Sequence, residues 1–216
     1  MSDRESRLRR IEDCGVIGVI RAQNSAYLIS VARAIKQGGV DVVEVTMTTP
    51  NALDVIREAS QEFGEDVLIG VGSVLDAETA RAAILAGAQY VVCPVFDPAV
   101  IAMAHRYSKP ALPGCLTPTE IINAWAAGAD MVKVFPATAL GPQYFKDVLG
   151  PLPQVKLCPT GGVDLDNAGD FIKVGAAALG VGSAMVDKQA VAEGRFEVVA
   201  DTARKFAEAV SAARAR

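Results

Sequence analysis

In Ala127-Gly128-Ala129-Asp130-Met131-Val132-Lys133-Val134-Phe135, a helix end runs straight into a short apolar strand. Gly takes the left-handed cap conformation without a Cβ penalty, so Gly128 marks the helix stop. The phrase recurs. Gln37-Gly38-Gly39-Val40, Ala86-Gly87-Ala88-Gln89 and Val174-Gly175-Ala176-Ala177 each end a helical segment and enter a β-branched run. Working outward, eight such runs emerge: Val16–Ile20, Val40–Thr46, Val67–Val71, Gln89–Cys93, Pro110–Leu112, Met131–Phe135, Gln154–Pro159 and Ala176–Val181. Most are apolar on both faces, as buried parallel strands are. Strict β/α alternation argues for a parallel sheet, and eight units predict closure into a single (β/α)8 TIM barrel over residues 1–216. The fifth run is the weakest, being short and opening with Pro110.

The segments between the strands carry helix signals. Ser25, Asp76, Asp97, Thr117 and Asp164 stand where N-caps belong. Thr117-Pro118-Thr119-Glu120 adds Pro at the first helical position and the Glu of a capping box. Phe196, Val199, Ala203, Phe206 and Val210 recur at 3–4 spacing, predicting a final helix docked on the barrel. Arg4–Asp13 predicts a short leading helix that closes the bottom.

With 216 residues, 51% hydrophobic and 21% charged, the chain buries a core. Its net charge of −4, without a basic stripe, argues against a nucleic-acid partner. The charged start, Met1–Ile11, has no apolar signal core, and Val174–Val186 is too short and Gly-rich to span a bilayer. A cytoplasmic protein without a membrane partner is expected. Cys14, Cys93, Cys115 and Cys158 form no CxxC pair and sit in or beside apolar runs, so they read as free thiols. One histidine, His105, and no Cys cluster argue against a transition-metal site.

Two charges interrupt apolar strands: Glu44 in Val42–Thr46 and Lys133 in Met131–Phe135. Side chains alternate along a strand, so Lys133 shares a face with Met131 and Phe135, and Glu44 with Val42 and Thr46. A charge against the helix layer would be buried and unpaired, so both are expected in the interior. A structural ion pair would also account for them, although such pairs stabilise weakly. Both lie toward the C-terminal strand ends, where barrel active sites sit. A free lysine is neutral in only about one molecule in 2,500 at pH 7. Burial supplies the neutral amine, which adds to a ketone, while a carboxylate shuttles protons. The last two strands end in Pro159-Thr160-Gly161-Gly162-Val163 and Gly180-Val181-Gly182-Ser183. Such ends let backbone N–H groups approach a phosphate, as barrels often do after strands 7 and 8, although tight turns alone would also use glycine.

These residues, with Gly18-Val19-Ile20-Arg21, Glu44-Val45-Thr46, Gly70-Val71-Gly72-Ser73-Val74, Pro113-Gly114 and Lys133-Val134-Phe135-Pro136-Ala137, carry a resemblance. From about Ile11 to Val186 the chain resembles the bacterial 2-keto-3-deoxy-6-phosphogluconate aldolases, which often also cleave 4-hydroxy-2-oxoglutarate. The resemblance implies a class I aldolase, a carbon–carbon lyase that needs no cofactor or metal. It implies Lys133 as Schiff-base lysine and Glu44 as general acid/base. Thr160 would contact the substrate hydroxyl, and Pro94 and Phe135 would line the pocket. Gly161, Gly162, Gly182 and Ser183 would bind phosphate, with Arg21 near the phosphate or Glu44. A homotrimer acting on a small keto-acid phosphate is implied as well. One departure stands out: many relatives carry Arg where this chain has Thr48, and Thr where it has Ser73. A hydroxyl at 48 brings no charge to the substrate carboxylate. Alternatives are a galactonate-type aldolase, an oxaloacetate decarboxylase, a phosphosugar isomerase, or a non-catalytic sugar-phosphate binder on the same fold.

Overall fold

The computed structural model describes residues 3–21 and 27–215. The strands are β1 (Val16–Ile20), β2 (Val42–Thr46), β3 (Leu68–Gly72), β4 (Val91–Val92), β5 (Ala111–Leu112), β6 (Gly114–Cys115), β7 (Val132–Val134), β8 (Leu157–Pro159) and β9 (Leu179–Val181). The helices are α1 (Asp3–Cys14), α2 (Leu28–Gln37), α3 (Ala52–Phe63), α4 (Ala77–Ala86), α5 (Pro98–Arg106), α6 (Pro118–Ala126), α7 (Gly141–Leu149), α8 (Ala168–Lys173), α9 (Lys188–Ala192) and α10 (Phe196–Arg214). Among the described residues every strand pairing is parallel. Six strands run in the order β5-β4-β3-β2-β1-β9, and three in the order β6-β7-β8. Among the described residues, one isolated bridge, Thr160 to Gly180, joins the two groups at β8 and β9.

This is an α/β fold with a curled parallel sheet. Every run expected from the sequence contains a strand, but most are trimmed at their starts. The fifth run, Pro110–Leu112, holds β5, and a further strand follows it. Pro113 has no N–H to donate to a ladder, so pairing breaks there and resumes at β6, a strand the sequence did not show. Gly39, Gly87, Gly128 and Gly175, one in each repeated phrase, all have positive φ (91°, 122°, 97° and 103°), as a left-handed helix stop requires.

Two apolar layers flank the sheet. The convex face packs Val43, Val45, Ile69 and Val71 against helix residues such as Ile35, Ile56 and Phe206. On α10, Val199, Ala203, Phe206 and Val210 are buried, as the spacing predicts, and Phe196 is half-buried. The concave face holds Ile17, Val42, Leu68, Tyr90, Val92, Leu112, Met131 and Cys158, with Ile11 of α1 packed into the same cluster. Helix α1 thus closes the N-terminal side of the strands. Arg10 fixes it there by donating to Asp41 Oδ2 (2.8 Å) and to the carbonyls of Glu65 and Asp66.

The caps follow the sequence with one correction. Asp76 accepts from the Thr79 N–H and Asp97 from the Ala99 N–H, and Thr117 with Glu120 forms the full capping box. Asp164 does not cap a helix directly. Its carboxylate accepts from the N–H groups of Asp166 and Asn167, making a turn that delays helix α8 to Ala168. Ser25 lies outside the described residues. All four cysteines are free.

Candidate active site

The period of the strands puts both interrupting charges on the concave face. Met131 and Val42 belong to the inner cluster, while Val132, Val134, Val43 and Val45 pack outward. Lys133 and Glu44 therefore face inward, at 6% and 2% exposure. Lys133 is in register with Gly114 on one side and Cys158 on the other, and its Nζ lies 4.9 Å from the centre of the Phe135 ring. No ion pair joins Lys133 to Glu44 among the described residues, so the two are separate groups rather than a closed salt bridge.

Glycine makes the room for Glu44. On β3, Gly70 and Gly72 share the concave face with Leu68. A Cβ at Gly72 would fall 1.7 Å from Glu44 Oε1, and one at Gly70 would fall 2.2 Å from the Tyr90 ring. The carboxylate and the phenol thus occupy volumes that two side chains have vacated. Burial pushes the Glu44 carboxyl above its ordinary range, against the opposing pull of the Lys133 and Arg21 cations. The Tyr90 hydroxyl is buried, has no protein hydrogen-bond partner among the described residues, and is raised by burial and by the nearby Glu44 charge. Burial likewise pushes the Cys158 thiol, beside Lys133, up to about 12. It is a packing residue there and not a competing nucleophile.

Beyond Phe135 the face opens into a cavity of ≈ 280 Å³. Phe135, Thr160, Gly161, Gly162, Gly182 and Ser183 line it, and so does Arg21. Gly161 and Gly162 have φ of 83° and 75°, a conformation that favours glycine. Asn167 Nδ2 donates to the Gly162 carbonyl at 2.8 Å and holds this turn. The N–H groups of Gly161 and Gly162 bond to no other described residue. A Cβ at Gly180 would fall 2.3 Å from Thr160 Oγ1, so Gly180 makes room for that hydroxyl.

The remaining expected residues are placed more loosely. Thr48 is exposed, contacts Thr46 Oγ1 through its hydroxyl at 2.9 Å, and lines a neighbouring cavity of ≈ 550 Å³ that shares Arg21. Ser73 has a φ of 58° at the end of β3 and lines neither cavity, and the carbonyl of Pro94 packs against Gly114. The sequence did not single out Lys188, which lines both cavities. It also missed Gly70, Gly72 and Gly180 as space-making residues. Their period-2 spacing with Gly182 on buried strands is the signal that could have found them.

A buried amine and a buried carboxylate with raised proton affinity, beside a turn of free N–H groups, are groups able to carry covalent chemistry on a carbonyl compound. Known proteins agree with that class. A family model, KDPG and KHG aldolase, matches residues 6–202. A 2-dehydro-3-deoxy-phosphogluconate aldolase of Treponema pallidum is 37% identical over 88% of this chain and 90% of its own. A 2-dehydro-3-deoxy-6-phosphogalactonate aldolase of Escherichia coli is 32% identical over 90% of this chain and 96% of its own. The crystal structure of a KDPG aldolase from Legionella pneumophila, with pyruvate captured as a covalent carbinolamine, superposes with a TM-score of 0.85. It is 27% identical and covers 92% of this chain and 96% of that one. Fold and sequence together define an aldolase, a carbon–carbon lyase. The chain belongs to the KDPG and KHG aldolase family.

Proposed function

We propose that this chain is a Schiff-base aldolase that cleaves 2-keto-3-deoxy-6-phosphogluconate to pyruvate and glyceraldehyde 3-phosphate. The observation that carries the reading is the placement of Lys133 and Glu44 on one concave face, adjoining a glycine-lined cavity through Phe135. Lys133 Nζ adds to the C2 ketone, and loss of water from the carbinolamine gives an iminium. Glu44, directly or through a water, takes the C4 hydroxyl proton. The C3–C4 bond then breaks, its electrons neutralise the iminium as an enamine, and the aldehyde leaves. Protonation at C3 and hydrolysis release pyruvate and restore the amine. Glu44 suits this exchange because burial brings its proton affinity toward the working pH. The Gly161 and Gly162 N–H groups, with Gly182, Ser183 and Arg21, hold the phosphate far from the reacting carbon. Binding energy there orients the bond to be broken. Thr160 contacts the substrate hydroxyl, while Ser73, Thr48 and Pro94 border the keto-acid end.

The strand order and the Thr160–Gly180 bridge support a full (β/α)8 barrel in which β5 and β6 are halves of one strand. Free thiols fit a cytoplasmic setting. We retain the homotrimer as part of this reading on family resemblance.

The test is incubation with pyruvate and borohydride followed by peptide mapping. A reduced pyruvyl adduct on Lys133 is expected, and its absence would sink the reading. Lys133→Ala abolishes cleavage and trapping, whereas Glu44→Gln slows cleavage and still traps. The galactonate epimer is a second substrate to assay, since a relative named for it is 32% identical to this chain.

A further inference from the structure

Lys188 is a charged residue of the glycine-lined cavity that the chemistry above does not use. It lines the ≈ 280 Å³ cavity together with Gly161, Gly162, Ser183 and Arg21. Its position relative to the glycine turn is fixed by backbone. The Gly182 carbonyl accepts from the N–H groups of both Met185 (2.9 Å) and Val186 (3.0 Å), and Met185 is buried. That closes the connection from β9 to α9. Asp187 then caps α9 by accepting from the Ala190 N–H at 2.8 Å, which engages the nearest carboxylate in the sequence.

The charge pattern is equally specific. Many surface cations have carboxylate partners, among them Arg10 with Asp41, Lys36 with Asp66, Lys173 with Asp170 and Arg195 with Glu193. Neither Lys188 nor Arg21 pairs with a described carboxylate. Two cations without a close ion pair, of which Arg21 also acts on Glu44 at longer range, therefore share one cavity with a turn of free N–H groups, on a chain whose net charge is −4. A dianion approaching this molecule gains nothing from the overall charge and must be held locally.

We propose that Lys188 is a specificity-determining residue: with Arg21 it supplies the second positive charge for a dianionic phosphate terminus and selects phosphorylated keto acids over their unphosphorylated counterparts. The proposal rests on the aldolase reading and deepens it. A lysine ammonium acts here as a mobile point charge, so charge should matter more than shape.

The experiment compares Lys188→Met and Lys188→Arg with the parent. KM and kcat are measured on 2-keto-3-deoxy-6-phosphogluconate and on 2-keto-3-deoxygluconate, and inorganic phosphate is titrated separately by calorimetry. Lys188→Met should lower kcat/KM for the phosphorylated substrate roughly tenfold, equivalent to about 1.4 kcal/mol. The kcat/KM for the unphosphorylated substrate should stay put, phosphate affinity should fall in parallel, and Lys188→Arg should restore both losses. Equal changes for the two substrates, or none for either, would overturn the proposal. Should neither substrate turn over, the aldolase reading fails by itself. The titration still decides about Lys188: weaker phosphate binding in Lys188→Met supports the role, whereas unchanged binding, or a parent that binds no phosphate, refutes it.

Discussion

Gly72→Ala tests whether the position of Glu44 is made by an absent side chain. The new Cβ would fall 1.7 Å from Oε1, 2.3 Å from Cδ and 2.7 Å from Cγ of Glu44. Ordinary contact begins near 3.4 Å, so the carboxylate must retreat by about 1.7 Å (the difference of those two distances). A displacement of about 1 Å at a reacting group costs on the order of a hundredfold in rate, which makes hundredfold the least loss of kcat to expect. The fold should suffer much less. The obstacle is the mobile end of a side chain, so the overpacking penalty should sit near the lower end of about 1–3 kcal/mol. For a chain of this size that lowers Tm by roughly 2–4 °C. Steady-state kinetics, borohydride trapping with pyruvate and thermal unfolding are the three readouts. Trapping on Lys133 should survive, because β7 is untouched. In the Glu44→Ala/Gly72→Ala double variant the clash has no partner, so the stability losses should not add. A single variant that keeps kcat within about threefold would refute the reasoning, because misplacement by more than 1 Å is expected to cost far more. Loss of trapping together with kcat would refute it as well, by pointing to general disruption.

Further outcomes follow from the same structure. The folded chain raises the Glu44 carboxyl by burial, so it holds that proton to higher pH than the unfolded chain does. Stability therefore falls as pH rises from the ordinary value of 4.5 through the raised one, and stays lower above it. Glu44→Gln should thus be more stable than the parent at pH 8 by about 1–3 kcal/mol in urea unfolding, with the gap closing below the ordinary value; an equal gap at pH 4 and 8 would contradict this. The thiols of Cys93, Cys115 and Cys158 are each pushed up to about 12 by burial. Native labelling by iodoacetamide at pH 8 should be at least ~10³-fold slower than for a free cysteine, and rapid labelling would count against their burial. Thr117→Ala removes half of the capping box on α6 and should cost about 1 kcal/mol, read in Tm, without touching kcat.

The fold was legible where the physics is local. Helix stops at Gly39, Gly87, Gly128 and Gly175 need only a backbone conformation that glycine favours, and the inward parity of Glu44 and Lys133 needs only the two-residue period of a strand. What the sequence hid was set between elements. The gap at Pro113 depends on which neighbour β5 and β6 meet, and the Asp164 turn depends on Asn167 reaching back to Gly162. Lys188 stayed hidden for the same reason. Nothing near it in sequence resembles a binding motif, and its cavity position comes from the Gly182 carbonyl folding the chain after β9. Thr48 was flagged by resemblance alone. The resemblance put an uncharged hydroxyl there in place of the Arg of many relatives, and in the structure that hydroxyl contacts Thr46 while Thr48 lines the larger neighbouring cavity.

The site is costly to the fold, and its neighbours fit that cost. Two buried ionisable groups without a mutual ion pair would be poor choices for packing alone, since apolar side chains of similar volume serve at least as well. Around them the sequence removes side chains at Gly70, Gly72, Gly114 and Gly180, places where a Cβ would meet Tyr90, Glu44, Pro94 and Thr160. A concave sheet face built for stability would fill those volumes with branched residues. The vacancies concentrate toward the C-terminal ends of the strands, whereas the N-terminal side is filled by Ile17, Val42, Leu68, Met131 and the plug of Ile11. One end of the interior is thus packed and the other is kept open around a lysine and a glutamate. That asymmetry explains why Gly72→Ala should damage catalysis far more than folding.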